Sequence, residues 1–454
     1  MHDAFTRAPK GAPTRIHLFT ESGFAGAELP GRLAAFAQAQ GFSAMAGQSV
    51  RMPDSEGRLG DVLFGLGDGS DGLALAALSG CLPEGDYEVA AAPPDWPFAW
   101  TAAGWADGAY RFTKYLKSPH SPPRLVIPGE APGDALSREA EAVRLCRDMV
   151  NTPAEDMGPN AIQAVMSGLA EQYGARLETV IGDELLKRNY PMVHTVGRAG
   201  PVEPRFLELE WGDPDHPELA LVGKGVAFDT GGLNIKTGDS MRLMKKDMGG
   251  AAHAIALASL VMGADLPVHL KLYIPAVENA VSGEAFRPGD VLDTRKGLTV
   301  EIDNTDAEGR LILCDALARA GEGDPDLILD FATLTGAARV ALGPDLPPFY
   351  TDSDEIAGEL TRQAAAAGEP VWRMPLWRPY KSMLESSIAD ISNAGGRMAG
   401  SITAAVYLSQ FVDTENWVHF DLWAWREGKY GRPAGGAATG LRASWNWLRA
   451  RYGE

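Results

Sequence analysis

From Arg205 onward the chain repeats one pattern, a short apolar run followed by a stretch of helical spacing. The runs are "RFLELEW", "LALVGKGVAF", "VHLKLYIPAV", "LTVEI", "DLILDFATL" and "WVHFDLW", rich in β-branched and aromatic residues. Helical patterns lie between them, as over Gly249 to Met262 and Leu311 to Arg319. Such runs suit strands covered on both faces, and their alternation with helices predicts an α/β domain around a largely buried sheet. Upstream, residues 1 to about 128 alternate apolar runs ("DVLFGLG", "LALAALSG") with helical stretches, and the Pro- and Gly-bearing "SPHSPPRLVIPGEAPGD" marks a boundary. Ser137 to Val150 then has helical spacing, with Ser137 as N-cap and Glu139 and Glu141 near the first turn. The expected architecture is two α/β domains. A smaller N-terminal one covers 1–130 and a larger one covers 131–454, with 131–155 as a linker helix and a central mixed sheet flanked by helices.

At 454 residues the chain is long enough for two or three domains. A formal net charge of -19 argues against nucleic acid or an anionic membrane as the main partner, because both need a basic footprint. Cys81, Cys146 and Cys314 are far apart and form no metal-ligand spacing, so a reducing, cytoplasmic setting is expected. The first residues lack the apolar core of a signal peptide, and the most apolar long stretch, around Ala251 to Ala264, contains His253.

Three segments place polar residues at the ends of apolar runs, where open α/β sheets form their sites. In "LALVGKGVAFDTGGLNIK" a strand runs through Lys224 to Asp229 and then Lys236. It lacks the spacing of a phosphate loop, and by itself reads as a solvated turn. In "MRLMKKDMGGAA", Asp247 precedes a helix start, where the plain reading is an N-cap. In "LTVEIDNTDAEGRLILCDAL", Asp306 and Glu308 sit in a loop between two apolar elements. Two half-buried carboxylates that close raise each other's pKa unless a cation intervenes. A capping box is the alternative, though Asn304, Glu308 and Arg310 supply more polarity than a cap needs. Together Asp229, Asp247, Asp306 and Glu308 form an oxygen-rich set suited to Mn²⁺, Zn²⁺ or Mg²⁺. Four carboxylates can neutralise two divalent ions, and paired sites hold metals roughly 3.5–4 Å apart to activate water and polarise a carbonyl or phosphoryl oxygen. Lys224, Lys236 and Arg310 then face substrate oxygens, or in one case a lysine serves as a neutral ligand.

"NTDAEGRL", with "VGKGVAFDTGG", "KKDMGGAA" and "DFATLTGA", resembles the leucyl aminopeptidase family of dinuclear, cytosolic metallopeptidases. The resemblance runs from about Ser137 to the C-terminus and is looser before residue 128. It implies a metalloaminopeptidase, a hydrolase releasing the N-terminal residue of short peptides by attack of metal-activated water. Asp229 and Glu308 would bridge two metals, Lys224 and Asp247 would complete the tighter site, and Asp306 the more exchangeable one. Lys236 would bind the oxygen that gains charge at the scissile carbon, and Arg310 would hold a bicarbonate ion acting as general base. Backbone groups near Thr333, Leu334 and Gly336 would bind the peptide main chain, while Met244 and Asn304 match pocket positions. The family also implies a homo-hexamer whose sites face an internal cavity.

One departure stands out. Family members commonly read His-Leu-Asp-Ile-Ala-Gly where this chain has His419-Phe420-Asp421-Leu422-Trp423-Ala424. Trp423 therefore stands at a pocket position usually held by a small residue, and the preference for the first residue of the peptide is expected to shift. The plain alternative is that Trp423 and Trp425 pack the core. His253, His419 and Cys314 read as structural, and Asp315 as a local cap or pair. Competing functions are a different two-metal hydrolase, such as a phosphatase or nuclease, and a binding protein without catalysis.

Overall fold

The computed structural model describes residues 1–117, 121–428 and 431–453. Ser118 to His120, part of the expected boundary segment, lie outside the described residues. The chain forms two compact units. The first comprises Met1–Arg144 with Ala366–Glu369 and Arg426–Gly435, and the second the remainder from Leu145.

The first unit is built on a six-stranded sheet in the order Phe5–Thr6, Arg124–Val126, Asp86–Ala91, Thr14–Phe19, Leu59–Gly65, Ser49–Pro53. Neighbours pair parallel except at the last edge, where Ser49–Pro53 runs antiparallel. Ile16, Leu18, Val62 and Phe64 alternate or cluster onto a core closed by Trp105 of the helix Phe98–Ala109. "DVLFGLG" is a strand, whereas "LALAALSG" folds into turns and the short helix Ala76–Ser79, its small residues packing against Phe98–Ala109.

The second unit has a nine-stranded mixed sheet. Its main path runs Trp372–Arg373, Pro348–Tyr350, Trp417–Asp421, Leu327–Ala332, Glu218–Gly223, His269–Asn279, Arg205–Trp211, Arg176–Ile181. Gly225–Asp229 also pairs with His269–Asn279. The four central strands of that path are parallel and buried nearly throughout, as their unbroken apolar runs require. Helices Gly249–Gly263 and Gly309–Gly321 pack on it. "LTVEI" is a correction: Thr299–Glu301 joins a separate small sheet with Val291–Asp293 and Ile391–Ser392. Ser137 caps nothing, since the helix starts earlier and spans Gly133–Asn151.

Three singled-out residues have structural work. Asp315 accepts from the N–H groups of Met192 (2.9 Å) and Arg295 (2.8 Å), so it caps the helix Pro191–Gly197 from a distant part of the chain. His419 Nδ1 lies 2.6 Å from Asp330 Oδ1, fully buried. His253 is also fully buried, with Nδ1 2.6 Å from the Gly249 carbonyl oxygen, and burial lowers its pKa to about 4. Below pH 6.5 the unfolded chain gains a proton here that the folded chain refuses until about pH 4, so this contribution to stability is lost as pH falls. At pH 5 the loss is about 2 kcal/mol. Unfolding free energies from urea titrations at pH 7 and pH 5 should converge by that amount in His253→Gln relative to the parent; equal pH slopes in the two proteins would refute the assignment.

Candidate active site

The parallel strands deliver the site. Lys224 follows Glu218–Gly223, Thr333 follows Leu327–Ala332, and Trp423 lies two residues beyond Trp417–Asp421. All of these positions are at carboxyl ends of one sheet, where α/β sheets place their ligands. A cavity of about 670 Å³ opens there. Its walls bring together the residues expected from the sequence to hold metal, act on or bind substrate: Lys224, Asp229, Lys236, Met244, Asp247, Asn304, Asp306, Glu308, Arg310, Thr333, Leu334, Gly336 and Trp423.

The loop of "NTDAEGR" is held by its own polar side chains. Asn304 Oδ1 accepts from the Asp306 N–H (2.9 Å), the local turn expected of an Asn two residues before a constrained N–H. Thr305 Oγ1 donates to the Gly231 carbonyl (2.7 Å) and accepts from the Asn234 N–H (2.8 Å). Gly231 has φ +87°, and a Cβ there would sit 2.6 Å from the Asn234 carbonyl oxygen, so the turn carrying Lys236 to the site requires glycine. Glu308 then points into the cavity from the start of Gly309–Gly321 without capping it. Asp247 also departs from the cap reading. It lies in the 3₁₀ turn Met244–Met248, its Oδ1 accepts from Thr333 Oγ1 (2.8 Å), and its Oδ2 faces Lys224 Nζ (2.7 Å).

Asp229, Asp306 and Glu308 each place one oxygen within 4.8 Å of the others'. Asp247 joins them through Lys224 Nζ, which is also 2.9 Å from Glu308 Oε1. Lys236 Nζ contacts Asp229 Oδ2 (2.8 Å) and Asp306 Oδ1. Lys246 Nζ stands 3.6 Å from Asp247 Oδ1. The four carboxylates outnumber these three ammonium groups. Asp247 Oδ2, Asp306 Oδ1 and both Glu308 oxygens are buried yet accept no well-aligned hydrogen bond. Buried carboxylate oxygens left this way are costly. Burial, reinforced by the Asp229 charge, pushes Glu308 up to about 8 and Asp306 up to about 6. Burial would lower Lys224 and Lys236, but the surrounding carboxylates outweigh it and raise both. Burial brings Lys246 down to about 8 and also lowers Arg310. Crowded, under-bonded oxygens of this kind fit hard or borderline divalent cations.

Arg310 is buried beside the Tyr407 ring and donates to the Asn393 carbonyl (2.6 Å), while its Nε has no hydrogen-bond partner. Trp423 is only partly buried and lines the cavity, with Lys246 Nζ 4.2 Å and Arg339 Cζ 4.0 Å from its ring centre. Trp425 is not among the lining residues. The Leu334 N–H is committed to Asp421 Oδ1 (3.2 Å).

Sequence reasoning missed Asn279 and Asn393. Asn279 ends the strand His269–Asn279 and donates to Asp229 Oδ1 (2.8 Å) and the Thr305 carbonyl (3.1 Å). Its signal was the one used for Asp229, a polar residue closing an apolar run. Asn393 accepts from the Asp303 and Asn304 N–H groups and donates to the Asn304 carbonyl (2.7 Å), and nothing local in its sequence announces this.

The family profile described as "Cytosol aminopeptidase family, catalytic domain" matches residues 144–444, and "M17 aminopeptidase, N-terminal domain" matches 25–128. A protein of Roseiflexus castenholzii called "Probable cytosol aminopeptidase" is 38% identical over 362 residues, 75% of this chain and 74% of that one. The crystal structure of the cytosol aminopeptidase of Coxiella burnetii superposes with a TM-score of 0.91 at 41% identity, covering 99% of this chain and 100% of that one. The bottromycin maturation enzyme BotP, solved in complex with Mn, gives 0.87 at 32% identity, covering 97% and 100%.

Proposed function

Because the chain belongs to the cytosol aminopeptidase family of hydrolases, we propose that it is a two-metal aminopeptidase that removes the first residue of short peptides. The observation that carries this reading is the group of buried carboxylate oxygens without well-aligned donors. Asp229 and Glu308 would be shared between two divalent ions, Mn²⁺ or Zn²⁺ with Mg²⁺ as the third candidate. Lys224 and Asp247 would complete one site and Asp306 the other. When bound, the pair supplies an activated water and Lewis acidity toward the scissile carbonyl.

The chain's own groups do the rest. Lys236, less deeply buried than Lys224, would donate to the carbonyl oxygen as negative charge grows on it. Its ammonium now rests on Asp229 and Asp306, so it is held at the site before substrate arrives. Arg310, fixed by the Asn393 carbonyl and with its Nε unpartnered, would hold a bicarbonate ion, which when bound would supply a general base beside the attacking water. Backbone groups of Thr333, Leu334 and Gly336 would orient the peptide main chain, the Leu334 N–H excepted. Met244, Asn304 and Trp423 would form the pocket for the first side chain, shortened by the indole. The same reading takes the protein as a cytoplasmic homo-hexamer. No helix among the described residues is long and apolar enough to cross a membrane.

The test is release of free amino acid from amides and dipeptides beginning with Ala, Leu or Met, with Mn²⁺, with Zn²⁺ and after chelation. Light scattering on the same preparation reads the assembly. Chelator-sensitive release is expected, with a substrate ranking that changes in Trp423→Ala. No release under any metal condition would sink the aminopeptidase reading, and an unchanged ranking would remove Trp423 from the pocket.

A further inference from the structure

We propose that Lys246, Trp423 and Arg339 form a recognition wall for a carboxylate side chain, so that peptides beginning with glutamate or aspartate are the preferred substrates. The inference rests on the aminopeptidase reading and specifies its substrate class.

The wall carries two cations, and the nearest carboxylate to Lys246 lies beyond hydrogen-bond range. The Lys246 residue is only 3% exposed and lines the cavity. Its ammonium has three donors. Its carboxylate contact is Asp247 Oδ1 at 3.6 Å, beyond hydrogen-bond range, and that oxygen already accepts from Thr333 Oγ1. The other group against it is the Trp423 ring, 4.2 Å from Nζ. A ring face attracts a cation but accepts no strong hydrogen bond, so among the described residues no oxygen lies within hydrogen-bond range of the ammonium, which faces the cavity. Arg339, on the helix Gly336–Leu342, lines the same cavity and lays its guanidinium on the same indole at 4.0 Å. Among the described residues no ion pair engages it.

Two cations on one indole thus face the cavity, and among the described residues no carboxylate oxygen comes within hydrogen-bond range of either. An aliphatic first residue would press against Lys246 and leave its donors unpaired. A carboxylate would supply the missing acceptor to Lys246 and the counter-charge to Arg339. Its methylene stem would lie against Met244, which is 8% exposed on the same cavity wall. A site built around unpaired polar groups discriminates strongly against an isostere that cannot satisfy them. Trp423 holds both cations in place and takes up the room a longer aliphatic chain would use.

The deciding comparison is between glutamate and glutamine, which match in size and differ in charge. Metal-saturated full-length protein would be assayed on Glu-, Gln-, Leu- and Ala-initiated dipeptides at one pH. We expect kcat/KM for Glu to exceed that for Gln by at least about tenfold and to exceed Leu as well. Lys246→Met and Arg339→Gln should each pull the Glu-to-Gln ratio toward one; Arg339 is at the surface, so its variant guards against a folding defect in the other. Inhibition by free glutamate, relative to free glutamine, should weaken in parallel. Release of Ala with Glu no better than Gln would overturn the wall and leave the aminopeptidase reading standing. A Glu preference that survives both substitutions would also overturn it. No release from any peptide would take down both.

Discussion

Glu308→Gln should abolish chelator-sensitive hydrolysis while leaving the protein folded. Glu308 contributes two buried oxygens, one 2.9 Å from Lys224 Nζ and one with no partner, to the group that also holds Asp229 and Asp306. Changes merely around a metal ligand lower affinity or activity by about 10–100-fold. Loss of one of the proposed metal-holding carboxylates should cost more, on the order of a thousandfold in kcat/KM, with a matching loss of bound metal by elemental analysis. Thermal unfolding separates this from a folding defect. In the metal-free protein Glu308 keeps its proton up to about pH 8, so glutamine mimics the form already present and the metal-free melting temperature at pH 7 should barely move. The sign with pH follows. A carboxyl whose folded pKa is raised makes the metal-free protein less stable as pH climbs toward 8, and the glutamine variant should lack that slope. Added Mn²⁺ should raise the melting temperature of the parent far more than that of the variant. Full activity in Glu308→Gln, or equal metal content, would remove Glu308 from the site.

Gly250→Ala should be among the most damaging substitutions that touch no ionisable group. The helix Gly249–Gly263 starts directly against the central strands, and a Cβ on Gly250 would lie 2.1 Å from the Phe331 carbonyl oxygen and 2.8 Å from the Lys224 N atom. Both atoms are backbone, so neither can swing aside. The Lys224 N–H donates to that same Phe331 oxygen (3.0 Å), and the Ala251 N–H donates to the Lys224 carbonyl (2.8 Å). Separating helix from strand therefore breaks hydrogen bonds that set Lys224, beyond the overpacking cost. Insertion of extra methylenes into a filled core costs about 1–3 kcal/mol and occasionally more. We expect the upper end, about 3 kcal/mol in urea unfolding, against the gain alanine normally brings inside a helix. Residual folded protein should bind metal more weakly, because Lys224 moves. A variant as stable as the parent would show that the helix can back away freely.

Much of the architecture was legible because burial writes itself into local sequence. Strands covered on both faces must be apolar throughout, so "LALVGKG" and "DLILDFATL" announced themselves, and the helices between them kept their spacing. "LTVEI" misled for the same reason, since a short β-rich run looks alike in a central sheet and a peripheral one. "LALAALSG" misled because small apolar residues serve a tightly packed helix as well as a strand. Asp247 read as a cap because its position before a helix is a local signal, whereas its partner Thr333 is 86 residues away.

The α/β class, the order of the carboxylate-bearing segments and the identity of the charged residues follow from the chain alone, because each depends on near neighbours along it. Tertiary structure alone decided which charges meet. The parallel strands bring Lys224, Asp247, Glu308 and Thr333 together, and Asn279 and Asn393 fasten the loops that carry the carboxylates. It also set Lys246 on the Trp423 ring, with the nearest carboxylate oxygen 3.6 Å away. Hydrogen-bond satisfaction inside a protein is set by groups far apart in sequence, and no local pattern records which of them will go unpaired.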